Sequence, residues 1–542
     1  MHLRTVRRSV ALLALCLAGV SASADESAAP SRASSAASSV PLPFQPEQSR
    51  TESSVMANGR RIGYEAIAGT LVIHPKDWDD VPRKHDGDDK DPPPEASMFY
   101  VAYFAKGGKD GKPDASRPVT FLFNGGPGSS SVWLHMGAFG PRRVLTANDS
   151  HTAAAPYRIV DNEHTLLDAS DLVFVDAPGT GFSRISGKDK EKAFYGIDVD
   201  AQAFADFIVR FLSKYERWNS PKFLFGESYG TTRNAALINV LESQKSVDFN
   251  GVINLSQILT WGSSPDGADF SPGNDLPYVL ALPTYAATAW YHHALPQSGR
   301  DLPSLLAEVQ RYAVGDYAQA LLAGNALDPA RRQAVAQRLH DYTGLPVDYL
   351  LKANLRVTGG EFSKTLRSSS DVTVGRLDTR FSGPTVDPLS KEAGYDPQSA
   401  SLGSAYVSAF NHYVRSELKF GQEKTFKPYI DVERLWQFGH QPPNLDFPLE
   451  ISPDLTIDLA VAMKTNPRLK VMVNAGYFDL ATPYFAALFE IDHLPIPPEL
   501  RANVEVRLYD SGHMVYANEA SARALHANVA DFIRRAAAGA AP

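Results

Sequence analysis

The chain has 542 residues, 44% hydrophobic and 21% charged, a globular composition that excludes a wholly disordered protein. Lys and Arg number 53 against 61 Asp and Glu, a formal charge of −8, so no basic excess favours nucleic acid as a partner. The single cysteine, Cys16, lies so close to the N-terminus that disulfides, thiolate metal sites and a cysteine nucleophile are excluded if that end is removed.

Residues 1–24 have the pattern of a secretory signal. Arg4, Arg7 and Arg8 are followed by an apolar stretch from Ser9 to Val20, and Ala22-Ser23-Ala24 supplies the small residues of a cleavage site. The apolar stretch is too short to span a bilayer, and no later run is long enough. The expected mature protein is therefore exported, periplasmic or extracellular, with no integral membrane segment. Export without disulfides fits a bacterial envelope better than a eukaryotic secretory route. Residues 25–50 are rich in Ala, Ser and Pro and read as a flexible tether, because they cannot bury enough apolar surface to offset ordering entropy.

Arg61 to Ile73 and Ser97 to Ala105 alternate partially and predict antiparallel edge strands. The acidic stretch between them, Lys84 to Pro94, lacks a calcium loop's pattern. Counting from Asp86, Asp91 and Ser97 stand where glycine and glutamate are required, which leaves a solvated loop.

From there the grammar changes. Val119 to Phe123, Leu172 to Val175, Phe223 to Phe225, Gly251 to Ile253 and Leu469 to Val473 are short, nearly continuous apolar runs, as in strands buried on both faces. The helical pattern from Asp198 to Trp218 lies among them, so the alternation predicts an α/β fold with a doubly wound, mostly parallel sheet. The rhythm breaks over 263–441. Amphipathic patterns at Leu302 to Ala323, Pro329 to Tyr342 and Ser401 to Phe420 surround a polar stretch near Val357 to Ser382. This segment is expected to be a mainly helical cap over the sheet, dividing the core into 51–262 and 442–542.

In such sheets ligands bind beyond the carboxyl ends of the strands. Gly226-Glu227-Ser228-Tyr229-Gly230 follows one apolar run and precedes a helical stretch, which is the setting of a nucleophile elbow. A nucleophilic serine needs a base and an orienting carboxylate, in the chain order Ser, Asp, His. Asp479 and His513 follow later strands in that order. Asp510 competes for the carboxylate role, while His292 and His293 read as packed or exposed. The glycine-rich Asn124 to Ser131 lacks the P-loop lysine and suits an oxyanion-hole loop. Asp176 to Ser183 reads as a structural turn bordering the pocket.

NGGPGSSS, DAPGTGFS, GESYG and GHMVY together resemble segments of the serine carboxypeptidases, within the α/β-hydrolase superfamily, from about Val119 to Tyr516. The resemblance implies an α/β-hydrolase fold in which Ser228 is the nucleophile, Asp479 the acid and His513 the base. It implies oxyanion N–H groups from Gly126 and Tyr229. Asn124 and Glu227 would then bind the free C-terminal carboxylate of a peptide, with no metal or organic cofactor. A glutamic acid can bind an anion only when protonated, so cleavage is expected to be favoured at acidic pH. The chain departs from the family's usual pattern at Leu122, Ser129, the acid loop Gly476-Tyr477-Phe478-Asp479, and Tyr516, where proline is usual. Two other readings remain: an esterase or acyltransferase using the same triad, and a non-catalytic binding protein on a hydrolase scaffold.

Overall fold

The computed structural model describes residues 44–74, 92–107, 114–296, 299–443 and 445–539. Residues 1–24, read as a signal and including Cys16, most of the stretch read as a tether, and residues 84–91 of the acidic loop lie outside the described residues.

A ten-stranded mixed sheet organises the chain. Its antiparallel side is β1 (Gln48–Ala57), β2 (Arg60–Ile73) and β3 (Glu95–Ala105), with β1 pairing β2 and β2 pairing β3. The first strand includes Gln48–Arg50, so the stretch read as a tether ends three residues early. Asn58-Gly59 closes the β1–β2 hairpin with φ of 48° and 72°, the left-handed pair a two-residue turn demands. The parallel strands are β4 (Val119–Phe123), β5 (Asp171–Val175), β6 (Lys222–Glu227), β7 (Gly251–Leu255), β8 (Lys470–Gly476) and β9 (Val504–Tyr509). Their order across the sheet is β1-β2-β3-β5-β4-β6-β7-β8-β9, and Arg184–Ser186 also pairs with β3. Every residue of β4, β5 and β7 is buried, which is why these strands read as continuous apolar runs.

Helices cover both faces. Strand side chains alternate between them: Tyr64, Ala66 and Ala68 point into one core, Ile67, Leu71 and Ile73 into the other. The second core is covered by α1 (Ile197–Lys214), α2 (Tyr229–Lys245) and, later in the chain, the helix Thr456–Thr465.

The insertion divides in two. α3 (Leu276–Tyr291), α4 (Leu302–Tyr312) and α5 (Pro329–Thr343) close around their own apolar core, which includes Phe362 and Leu480. Asp328 caps α5 by accepting from the N–H groups of Ala330 and Arg331, with Pro329 in the first turn. By contrast α6 (Pro397–Ser416) does not sit in the cap. Its Leu402, Tyr406, Ala409 and Tyr413 belong to the core on the sheet's first face. The polar stretch near 357–382 is also more ordered than its composition suggests. It contains a short helix, Gly359–Thr365, and a β-hairpin pairing Val372–Val374 with Ser382–Pro384.

The chain leaves the insertion at His440, whose ring is 4% exposed and lies between two carboxylates. Nδ1 is 2.6 Å from Asp198 Oδ1 in the first turn of α1, and Nε2 is 2.9 Å from Asp458 Oδ2 in the first turn of α7 (Thr456–Thr465). The last elements are α8 (Tyr484–Asp492) and α9 (Glu519–Ala538). No helix among the described residues is long and apolar enough to cross a membrane.

Candidate active site

The sequence-predicted residues gather at the carboxyl ends of β4, β6, β8 and β9. Glu227 ends β6, Tyr229 opens α2, and Ser228 makes the corner between them at φ 62° and ψ −130°, a costly conformation for an L-residue. Neighbouring glycines let strand and helix cross this closely. A Cβ on Gly226 would lie 2.1 Å from the carbonyl oxygen of Gly230, and one on Gly125 only 2.4 Å from the Tyr229 nitrogen. The corner is held from the next strand, where the Leu255 carbonyl accepts from Ser228 N–H at 3.0 Å.

Asp479 and His513 meet from separate loops. His513 Nδ1 is 2.8 Å from Asp479 Oδ2, and both residues are buried. Asp479 also accepts from the N–H groups of Ala481 and Thr482 at 2.9 Å each and from the Thr482 hydroxyl at 2.7 Å. These bonds satisfy a carboxylate in the interior and fix its orientation. Burial alone would lower the His513 pKa, but the charge and hydrogen bond of Asp479, helped by Glu227, outweigh it and raise it. The competitor Asp510 is exposed. Neither Ser228 Oγ nor His513 Nε2 makes a hydrogen bond among the described residues, as is common before substrate tightens such a site.

Glu227 and Asn124 are buried beside this corner. Burial pushes the Glu227 carboxyl up to about 7, against the lowering effects of His513, Tyr516 and Asn124 and with a further rise from Asp479. Tyr516 donates its hydroxyl proton to Glu227 Oε2 at 2.9 Å, an interaction that occupies the position where the sequence departs from the family's proline. Asn124 is oriented on two sides. Its Oδ1 accepts from Leu134 N–H at 3.2 Å, and its carbonyl accepts from Arg233 Nη1 at 2.9 Å. Arg233 is itself fully buried, paired with Asp200 at 2.6 Å and stacked 4.3 Å from the centre of the Phe204 ring.

Gly126, at φ 105°, lies in the loop against the elbow, and Tyr229 N–H has no partner within its helix because it is the first helical residue. Two such N–H groups suit a developing oxyanion. The Asp176 turn is structural: Asp176 Oδ1 accepts from the backbone N–H and the hydroxyl of Ser131, each at 2.8 Å, and so ties the turn to the glycine-rich loop.

Sequence reasoning missed Thr482, Arg233, Asp200 and the role of Tyr516. None stands in a motif of its own, and only the departure at Tyr516 was visible. His292 is a packing residue that donates to the Thr379 carbonyl at 2.6 Å, and His293 is exposed. Among the described residues one cluster, Glu163, His164 and Glu519, could hold a metal ion, but Glu519 is already paired with Arg143 at 2.6 Å.

Strand order, elbow and post-strand Asp and His together define an α/β hydrolase. Within that class, residues 89–262 match the family described as serine carboxypeptidase. The chain is 28% identical over 183 residues to the pheromone-processing carboxypeptidase KEX1 of Saccharomyces cerevisiae, covering 31% of this chain and 23% of the relative. It is 30% identical over 151 residues to a carboxypeptidase Y homolog of Arthroderma benhamiae, covering 28% and 27%. The matched segment thus spans about a quarter of each relative's length. Among solved structures, proline iminopeptidase of Mycobacterium smegmatis is similar with a TM-score of 0.33 and 14% identity, over 82% of this chain and 97% of that one. A monoglyceride lipase variant of Saccharomyces cerevisiae gives 0.32 and 10%, over 84% and 99%.

Proposed function

We propose that this chain is an exported serine carboxypeptidase that removes C-terminal residues through an acyl-enzyme. Ser228 Oγ attacks the last peptide carbonyl while His513 takes its proton, and the Gly126 and Tyr229 N–H groups receive the oxyanion. His513 then protonates the departing amine, the C-terminal amino acid leaves, and water activated by His513 hydrolyses the Ser228 ester. Asp479 holds the imidazole with Nδ1–H towards itself, leaving Nε2 for the serine proton. Export rests on the signal pattern of residues 1–24.

One observation carries the choice of substrate: a fully buried carboxyl, Glu227, sits directly beside the nucleophile with its pKa raised to about 7. A neutral carboxyl donates a hydrogen bond to an arriving carboxylate, and like-charge repulsion raises its pKa further once the anion is bound. An esterase acting on neutral esters has no need of such a group. The donor form is complete well below pH 7 and is lost as pH rises through that value, which gives an alkaline limb, while His513, its own pKa raised, must lose its proton to act as base and so bounds activity on the acid side. An N-blocked dipeptide should be cleaved far better than its C-terminal amide. Its kcat/KM, measured from pH 4 to 8, should fall on the alkaline side, and Glu227→Gln, which cannot ionise, should flatten that limb. An unchanged limb in the Gln variant, or equal cleavage of the amide, would remove the carboxylate-binding role.

A further inference from the structure

Residues 375–381 form the tip of the short hairpin in the insertion, closed by Gly375 N–H donating to the Phe381 carbonyl at 2.8 Å. Only its start reaches the surface, at Arg376. Asp378, Thr379 and Phe381 are fully buried and Arg380 is 7% exposed. Besides bonds from Arg376 to Asp266 and from the Arg376 and Leu377 N–H groups to Asp396, the tip engages two loops that are both catalytic in the reading above.

The first is the loop leading to the histidine, where four consecutive residues are engaged. Arg380 Nη1 donates to the Asp510 carbonyl at 3.0 Å and Nη2 to the Ser511 hydroxyl at 3.2 Å. Gly512 N–H donates to Asp378 Oδ2 at 3.1 Å, and His513 N–H donates to the Leu377 carbonyl at 2.7 Å. The second is the acid loop, engaged on both sides of Asp479. Thr379 N–H donates to the Phe478 carbonyl at 2.9 Å, and Leu480 N–H donates to the Arg376 carbonyl at 3.0 Å.

The tip is backed by Thr288 of α3 and by His292 just past its end, which bond the side chain and carbonyl of Thr379 at 2.7 and 2.6 Å. Close approach is built in as well: a Cβ on Gly512 would lie 2.4 Å from Asp378 Cβ. Asp378 and Arg380 pair with each other at 2.5 Å in the interior. Desolvation makes such a pair a poor source of net stability, whereas its fixed fork of donors is well suited to holding neighbours in place.

We infer that this hairpin tip is the positioning element of the acid–base pair, with Asp378 and Arg380 as positioning residues that set where His513 and Asp479 stand relative to Ser228. The inference rests on the reading of those three residues as the triad. It assigns part of the catalytic geometry to the insertion, a segment otherwise expected to shape only access to the site.

The test uses the full chain and an N-blocked dipeptide. Asp378→Asn combined with Arg380→Gln removes both charges together, so no lone charge is buried. This variant should melt cooperatively, keep KM within about threefold, and lose about 10²-fold in kcat, the scale of a misplacement near 1 Å. The rate at which a fluorophosphonate labels Ser228 should fall by a similar factor. Arg380→Lys keeps a charge opposite Asp378 but cannot reach both Asp510 and Ser511, so its kcat should lie between the two. If the double variant fails to fold, Arg380→Lys decides alone. Parental kcat in a folded variant, or a loss matched by the unfolded fraction in an active-site titration, overturns the inference. Turnover retained by Ser228→Ala would instead overturn the triad reading beneath it.

Discussion

The two halves of the site are built on different plans. Asn124, Glu227, Ser228 and Tyr229 sit at the ends of adjacent strands β4 and β6, and their supports Leu134, Arg233 and Leu255 also come from the core before the insertion, Tyr516 on Glu227 being the exception. Asp479 and His513 sit beyond β8 and β9, and the loops that carry them are bonded to a hairpin from the insertion. A nucleophile corner must be rigid to hold a strained φ of 62°, and a local crossing of strand and helix supplies that rigidity. The acid–base half needs only correct placement, so a distant segment can provide it. Variation in the hairpin should therefore reach the chemistry through His513, whereas the insertion meets the other half at the glycine-rich loop, where Ser130 N–H donates to the Pro428 carbonyl at 3.0 Å and Ile430 N–H to the Gly128 carbonyl at 2.9 Å.

Substitutions on each side can break that contrast. Ser228→Ala should cost about 10⁶ in kcat, as loss of a nucleophile does in a triad enzyme, with an unchanged melting transition because the corner's strain lies in the backbone. Measurable phosphonate labelling elsewhere in that variant would contradict it. Asp479→Asn should cost about 10⁴ by favouring the wrong imidazole tautomer. Asp510→Asn should keep near-parental kcat, since the hairpin holds Asp510 through its carbonyl. Reversed effects would exchange the two carboxylates. Tyr516→Phe is the mildest and links the halves, because Tyr516 follows His513 on the same loop yet donates to Glu227. Its hydrogen bond lowers the Glu227 pKa, so losing it should move the alkaline limb of kcat/KM upward, by up to about one pH unit. A limb that stays in place would show that Tyr516 does not act on that proton.

The same contrast explains what could be read in advance. The parallel strands were legible because they are buried on both faces and so have no polar alternation to blur them. The elbow was legible because close strand–helix crossing demands glycine at fixed spacing. Strand β1 was missed although Asn58-Gly59 marks its hairpin, because Ala and Ser dominate the stretch before it. The hairpin tip was missed for a deeper reason. Gly375-Arg376-Leu377-Asp378-Thr379-Arg380 has the composition of a surface loop, and the polar groups that reach the histidine loop find partners more than a hundred residues away. Composition reports the balance of polar and apolar atoms, not the distance over which polar atoms find each other. The split of the insertion was obscured likewise: α6 is amphipathic whether it faces a cap or a sheet.

His440 has a consequence for how the molecule tolerates alkali. Burial works against its charge, but hydrogen bonds and attraction from Asp198 and Asp458 prevail and hold its pKa at about 9, above the ordinary value of 6.5. A histidine with a raised folded pKa stabilises fully below its unfolded pKa, and that contribution fades as pH climbs through the folded one. Above about 9 a neutral ring can donate to only one of its two carboxylates. The stitch joining the helix starts at Asp198 and Asp458 then comes undone. Storage and assay buffers should show it as a melting temperature that declines between pH 6.5 and 9, the window between the two pKa values. His440→Gln should abolish most of that decline. The chain's alkaline endurance is thus set on the side of the sheet covered by α1 and α7, by a residue with no part in catalysis.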